Sequence, residues 1–205
     1  MIRFGMRRAD ARLWRAARTM ADLGDLTARW LEGSVGSRPG YQPRCGPDPE
    51  TEHLVPVLAA ANRSGFVTEG SQPGLDVVGV DGSRWTQRAA VTGFTDDQRV
   101  VEQLRAAALH HGLTYEVCVA DQSRARPSAD TTVTWRDGEA VTGFGGPISR
   151  RDVRTIWHGC HRAAVDLMVN AWQITLTDRQ VGRNSVLWPA LTEAAANLTT
   201  QGAQL

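Results

Sequence analysis

Along the chain, apolar positions spaced three and four apart repeatedly give way to short alternating runs, the pattern of helices interleaved with strands. Residues 9–31 carry Leu13, Trp14, Ala17, Met20 and Leu23 on one side, which predicts helix, and a second short helix over 25–32 brings Leu26, Trp30 and Leu31. Residues 33–47, rich in Gly, Ser, Pro and Arg, predict a loop long enough to serve as a lid. A helix follows, with Asp48 as cap, Pro49 at the first position, Glu50 and Thr51 in the first turn, and Leu54, Leu58 and Ala61 on its apolar face. Gly65 ends it, Phe66–Thr68 reads as strand, and Ser71-Gln72-Pro73-Gly74 reads as a turn. The stretch 48–73 thus brings a polar helix start near a strand end rich in hydroxyls, a corner suited to a small ligand.

A Gly-rich loop is expected over 74–83, then a strand over 84–94 and a helix from about Thr95 to His111, ended by Gly112. Tyr115–Val119 alternates as a strand, so a strand–helix–strand crossover with a parallel pair is expected. Residues 121–130 predict a polar loop. Runs 131–135 and 140–144 flank Asp137-Gly138, a hairpin signal. A long helix is expected from Ser149 or Asp152 to Ala171, a strand over 172–176, and a last helix over about 185–198. The organisation that results is an Arg-rich helix over 1–24, one domain over 25–198 and a frayed tail over 199–205. The fold class is α+β: a mixed sheet, or two small sheets, layered with about five helices.

Composition narrows the chemistry. The formal net charge is +1, so no whole-molecule field favours nucleic acid or an anionic membrane. All 23 basic residues are arginine, which excludes a lysine Schiff base and points to the coding bias of a GC-rich, actinobacterial source. Six of these arginines lie in the first eighteen residues, where a solvated helix face explains them better than a contact arm. Three widely spaced cysteines form no disulfide framework, and a reducing cytoplasm fits them. The first residues are too polar for a signal-peptide core, and no apolar run reaches membrane-span length.

Few residues carry a catalytic signature. His158, Cys160 and His161 cluster in the expected long helix, but no second cluster completes a metal site, and structural roles are the better reading. His110 and His111 suit a helix end. No nucleophile elbow, Walker loop or dinucleotide turn is present. Cys118 and Cys160 sit in apolar patterns and read as core residues.

Several segments nevertheless resemble, in order and spacing, the C-terminal regulatory domain of eukaryotic methylenetetrahydrofolate reductase. They are Trp30-Leu31-Glu32-Gly33, Glu50-Thr51, Asn62-Arg63-x-Gly65-x-x-Thr68-x-x-Ser71-Gln72-Pro73 and Gln87-Arg88-Ala89, then Val133-Thr134-Trp135, Leu176-x-Asp178, Asn184 and Leu187-Trp188. The resemblance spans about residues 26–198. It implies a site for S-adenosylmethionine, with S-adenosylhomocysteine as competitor, contacted by Glu50, Thr51, Thr68, Ser71 and Thr134. Thr142 is the candidate for a further ligand threonine in a shortened segment. Asp48-Pro49 stands where the family has small residues. The reductase barrel has no counterpart here, so no flavin is expected, and no metal. The resemblance also implies a homodimer. The expected function is a stand-alone S-adenosylmethionine-binding sensor or regulatory module with an unidentified protein partner. The alternatives are an enzyme consuming that ligand as transferase or lyase, with Glu50, Glu69 and Asp48 as acid–base groups, and an interaction protein that has lost it.

Overall fold

The computed structural model describes residues 5–119 and 131–202. The loop expected over 121–130 lies outside them. The fold is α+β: the described residues form seven helices and a 3-10 turn against a seven-stranded antiparallel sheet.

The N-terminal apolar stretch forms two helices, α1 (Arg8–Ala16) and α2 (Met20–Leu31), not one helix followed by a short one over 25–32. The break falls at Thr19, whose side chain accepts from Asp22 N while the Asp22 carboxylate accepts from Thr19 N, a reciprocal cap. Asp48 makes no side-chain cap. Pro49–Leu54 is a 3-10 turn, and helix α3 (Val55–Arg63) begins afresh beside Pro56, which has no N–H to give the preceding turn. Gly65, at φ +97°, reverses the chain into strand β1 (Val67–Gln72). Ser71 and Gln72 therefore belong to a strand and not to a turn. The expected loop over 74–83 contains strand β2 (Leu75–Val78).

Strand β3 (Arg84–Thr95) is the spine. Its first half pairs with β2 on one edge and β5 (Thr131–Arg136) on the other; its second half pairs with β1 and β7 (Trp172–Val181). Helix α4 (Gln98–His111) follows, capped by the Asp97 carboxylate and ended by Gly112 at φ +67°. Strand β4 (Thr114–Val119) then pairs with β7, not β3. The crossover exists, but β7 lies between its two strands, so among the described residues every pairing is antiparallel and the expected parallel pair is absent. The hairpin of β5 and β6 (Glu139–Phe144) turns at Asp137-Gly138, both at positive φ as a tight hairpin turn requires.

The expected long helix is two: α5 (Arg150–Ile156) and α6 (Arg162–Asn170). Gly159, at φ +99°, breaks it, and His161 caps α6 through Nδ1. His158 and Cys160 therefore sit in a connecting turn, not on a helix face. Helix α7 (Leu187–Gly202) continues past residue 198. One core joins these layers: Trp14, Leu23, Leu58, Phe66, Leu104, Ile174, Leu187 and Leu191 are all at most 1 % exposed. Helix α1 belongs to it, with Trp14 edge-on to Trp157 at 6.1 Å. Among the described residues no helix is long and apolar enough to cross a membrane.

Candidate functional site

Between the 33–47 loop, the 3-10 turn and strand β1 lies a cavity of about 140 Å³. Thr51, Thr68 and Ser71 line it, with Trp30 and Tyr41 as aromatic walls. Each side chain is placed by a local cause. Asn62, fully buried near the end of α3, donates from Nδ2 to Thr68 Oγ1 (2.7 Å) and to the Leu58 carbonyl (2.8 Å), and accepts from Thr68 N through Oδ1 (3.0 Å). The Thr68 hydroxyl is thereby held as an acceptor toward Asn62, and its hydrogen is left to donate.

After Thr68 the pairing with β3 slips by one residue. Thr68 faces Gly93 and Gly70 faces Thr92, so Glu69 is the extra residue of a bulge. A bulge re-aims side chains, and here two successive residues both reach the cavity. Glu69 is met there by Arg38 from the loop, whose Nη2 donates to Glu69 Oε2 at 2.7 Å and to the Thr68 carbonyl at 3.2 Å. The Arg38 guanidinium lies 5.0 Å from the ring of Trp157 and 5.6 Å from that of Trp30, and the residue is 4 % exposed. Burial pushes the Glu69 carboxyl above the ordinary range in spite of Arg38. Trp157 Nε1 lies near that carboxylate without a well-formed hydrogen bond.

The loop is a strap pinned at several points. Trp14 Nε1 donates to the Ser37 carbonyl (2.8 Å), Trp30 Nε1 donates to the Cys45 carbonyl (3.0 Å), and Tyr41 stacks edge-on against Trp30 at 5.0 Å. Burial, then a hydrogen bond to Asp48, raises the Tyr41 hydroxyl to about 12.

The other expected site residues lie elsewhere. Glu50 is exposed on the 3-10 turn, outside the cavity wall. Thr134 is buried, its one hydroxyl hydrogen shared between Gln72 Oε1 and Gln87 Oε1 at 3.2 Å each. Thr142 faces Thr134 across the β5–β6 pair and is exposed. Asn184 and Asp178 act within the fold: Asn184 holds Gly74 by two hydrogen bonds, and Asp178 takes the Arg183 guanidinium. Arg38 escaped sequence reasoning. Its only signal is an arginine among Gly, Ser and Pro, which the loop composition masked.

Burial raises the thiols of Cys118 and Cys160, the latter to about 12, so neither is primed as a nucleophile. Among the described residues no group of three or more His, Cys, Asp or Glu is placed to hold a metal ion.

Residues 9–198 match a family described as a domain of unknown function, DUF6919. The chain belongs to the DUF6919 family. No curated protein matches it. The DUF6919 match takes in α2, the strap and β1, so the whole cavity lies within the family domain.

Proposed function

We propose that this DUF6919 protein binds S-adenosylmethionine or S-adenosylhomocysteine in the cavity under the strap and serves as a sensor of that ligand. The observation that carries the reading is the convergence of Thr51, Thr68 and Ser71 on one cavity with aromatic walls and a buried carboxylate. Hydroxyls donate to the ligand carboxylate, the carboxylate side chain answers a cation, and the aromatic walls suit the adenine. Glu50, Thr134 and Thr142 stand outside the cavity wall. Thr134 serves the site indirectly, by holding Gln72 at the end of β1.

The cavity is smaller than the roughly 300–1,000 Å³ of common ligand sites. A ligand with an adenosine moiety therefore enters only when the strap moves and recloses over it. That motion is what a partner would read, because the ligand favours one strap position over another.

Thermal denaturation with each ligand in excess tests the reading. At about 100 times its dissociation constant, a ligand adds roughly 2.7 kcal/mol of stability. A Thr51→Val, Ser71→Ala variant should fold and lose most of the shift. Absence of a shift with both ligands in the wild-type protein would refute the proposal.

A further inference from the structure

Three charged side chains line the cavity: the Arg38 guanidinium and the carboxylates of Asp48 and Glu69. Arg38 is engaged through Nη2, while its Nε is buried without a partner. Among the described residues Arg38 makes the only well-formed hydrogen bond to the Glu69 carboxylate, donating to Oε2. Glu69 Oε1 takes no well-formed hydrogen bond from a described residue, the nearby Trp157 Nε1 included. The Glu69 side chain retains 15 % exposure against 4 % for Arg38, so the carboxylate is the more accessible member of the pair. The raised carboxyl of Glu69 agrees with this: one guanidinium does not offset its desolvation, and a second cation nearby would stabilise it. Asp48 adds a second negative group to the same wall, hydrogen-bonded to the Tyr41 hydroxyl.

S-adenosylmethionine and S-adenosylhomocysteine share their carboxylate, ammonium, ribose and adenine. They differ by one methyl group and one positive charge, so any preference between them arises at the sulfur. We infer that Glu69 makes this cavity select the charged sulfonium over the neutral thioether, so that the protein reports S-adenosylmethionine and not its demethylated product. The inference rests on the reading of the cavity as a site for S-adenosyl ligands. Its physical basis is a desolvated carboxylate with one open oxygen, whose attraction for a cation is far stronger than it would be in water.

The test is calorimetric titration of the full chain with S-adenosylmethionine, S-adenosylhomocysteine and sinefungin, in which a protonated amine replaces the sulfonium. The two cationic ligands should bind about tenfold more tightly than the neutral one, equivalent to about 1.4 kcal/mol. In Glu69→Gln the three affinities should fall within about twofold of each other. That variant leaves Arg38 buried without its partner, which destabilises proteins. The double variant Arg38→Met, Glu69→Gln removes both charges and should show the same collapse. Equal affinities in the wild-type protein, or a preference that survives in either variant, overturn the role of Glu69 and leave the ligand reading standing. No binding of any of the three to the wild-type protein overturns the ligand reading itself.

Discussion

At the scale of residues, Asn62 ties the end of α3 to the cavity. It is buried and makes three hydrogen bonds, two of them to Thr68. Replacing it by alanine strands the Thr68 amide in a buried place, and Asn62→Ala should cost roughly 2–3 kcal/mol in denaturant unfolding. Ligand binding should weaken beyond that loss, because Thr68 is no longer oriented; binding unchanged in the folded variant would contradict this. Glu69 has an opposite pH signature to the surface acids. Its carboxyl is raised by burial, so its contribution to stability is full below the ordinary glutamate value of about 4.3 and is lost as pH rises through the raised value. The stability of the wild-type protein relative to Glu69→Gln should therefore fall as pH rises from about 4.3 through the raised value. A relative stability that rises over that window would show that Arg38 outweighs the desolvation.

At the scale of elements, the meeting of α2 with α3 sets the cavity wall. Gly24 on α2 lies against the Asn62 carbonyl, and a Cβ at that position would collide with it. Alanine raises helix propensity by about 1 kcal/mol, while overpacking costs roughly 1–3 kcal/mol. The collision involves backbone that cannot swing aside, so Gly24→Ala should lower the melting temperature and also disturb Thr68 through Asn62. At the other end of α2, hydrogen bonds from Arg18 N and from Thr19 lower the Asp22 carboxyl. A lowered carboxyl contributes stability above its unfolded value, about 3.9, and loses it as pH falls through the folded value. Asp22→Asn should accordingly show a shallower loss of stability on acidification, read by unfolding at a series of pH values. The two ends of one helix thus serve different purposes: its capped start sets where α1 stops, and its middle sets how closely α3 approaches.

At the scale of the molecule, the N-terminal helix is part of the site's support. Trp14 is fully buried, bonds the Ser37 carbonyl of the strap and packs on Trp157, which in turn faces Arg38. Trp14→Ala should cost about 3–5 kcal/mol. In a chain of this length each kcal/mol moves the melting temperature by roughly 2–4 °C. On the proposed ligand reading, the variant should also bind S-adenosylmethionine more weakly, since the strap loses one of its pins. Normal affinity in the folded variant would show that the other pins hold the strap without Trp14. The arginines at the start of the chain belong to the solvated side of this helix: Arg8, Arg12 and Arg15 are exposed while Trp14 turns inward.

What the sequence determined by itself was local. Strand β3, helix α4 with its Gly112 stop, and the hairpin at Asp137-Gly138 were legible because their signals lie within a turn or two of the residues they govern. Thr51, Thr68 and Ser71, which the family resemblance named with Glu50, Thr134 and Thr142, line one cavity because the 48–73 stretch folds largely on itself. Where the expectation erred over a helix, a local device outweighed the apolar period: the Thr19–Asp22 cap, or Gly159 at positive φ. The tertiary structure alone decided the rest. The place of β7 between β3 and β4 abolished the expected parallel pair, because strand order follows from long-range contacts that no single segment encodes. The same holds for the Arg38–Glu69 pair. It joins a loop to a bulge, and neither the slip in register nor the burial that gives the pair its force exists until α2, the strap and β3 have come together.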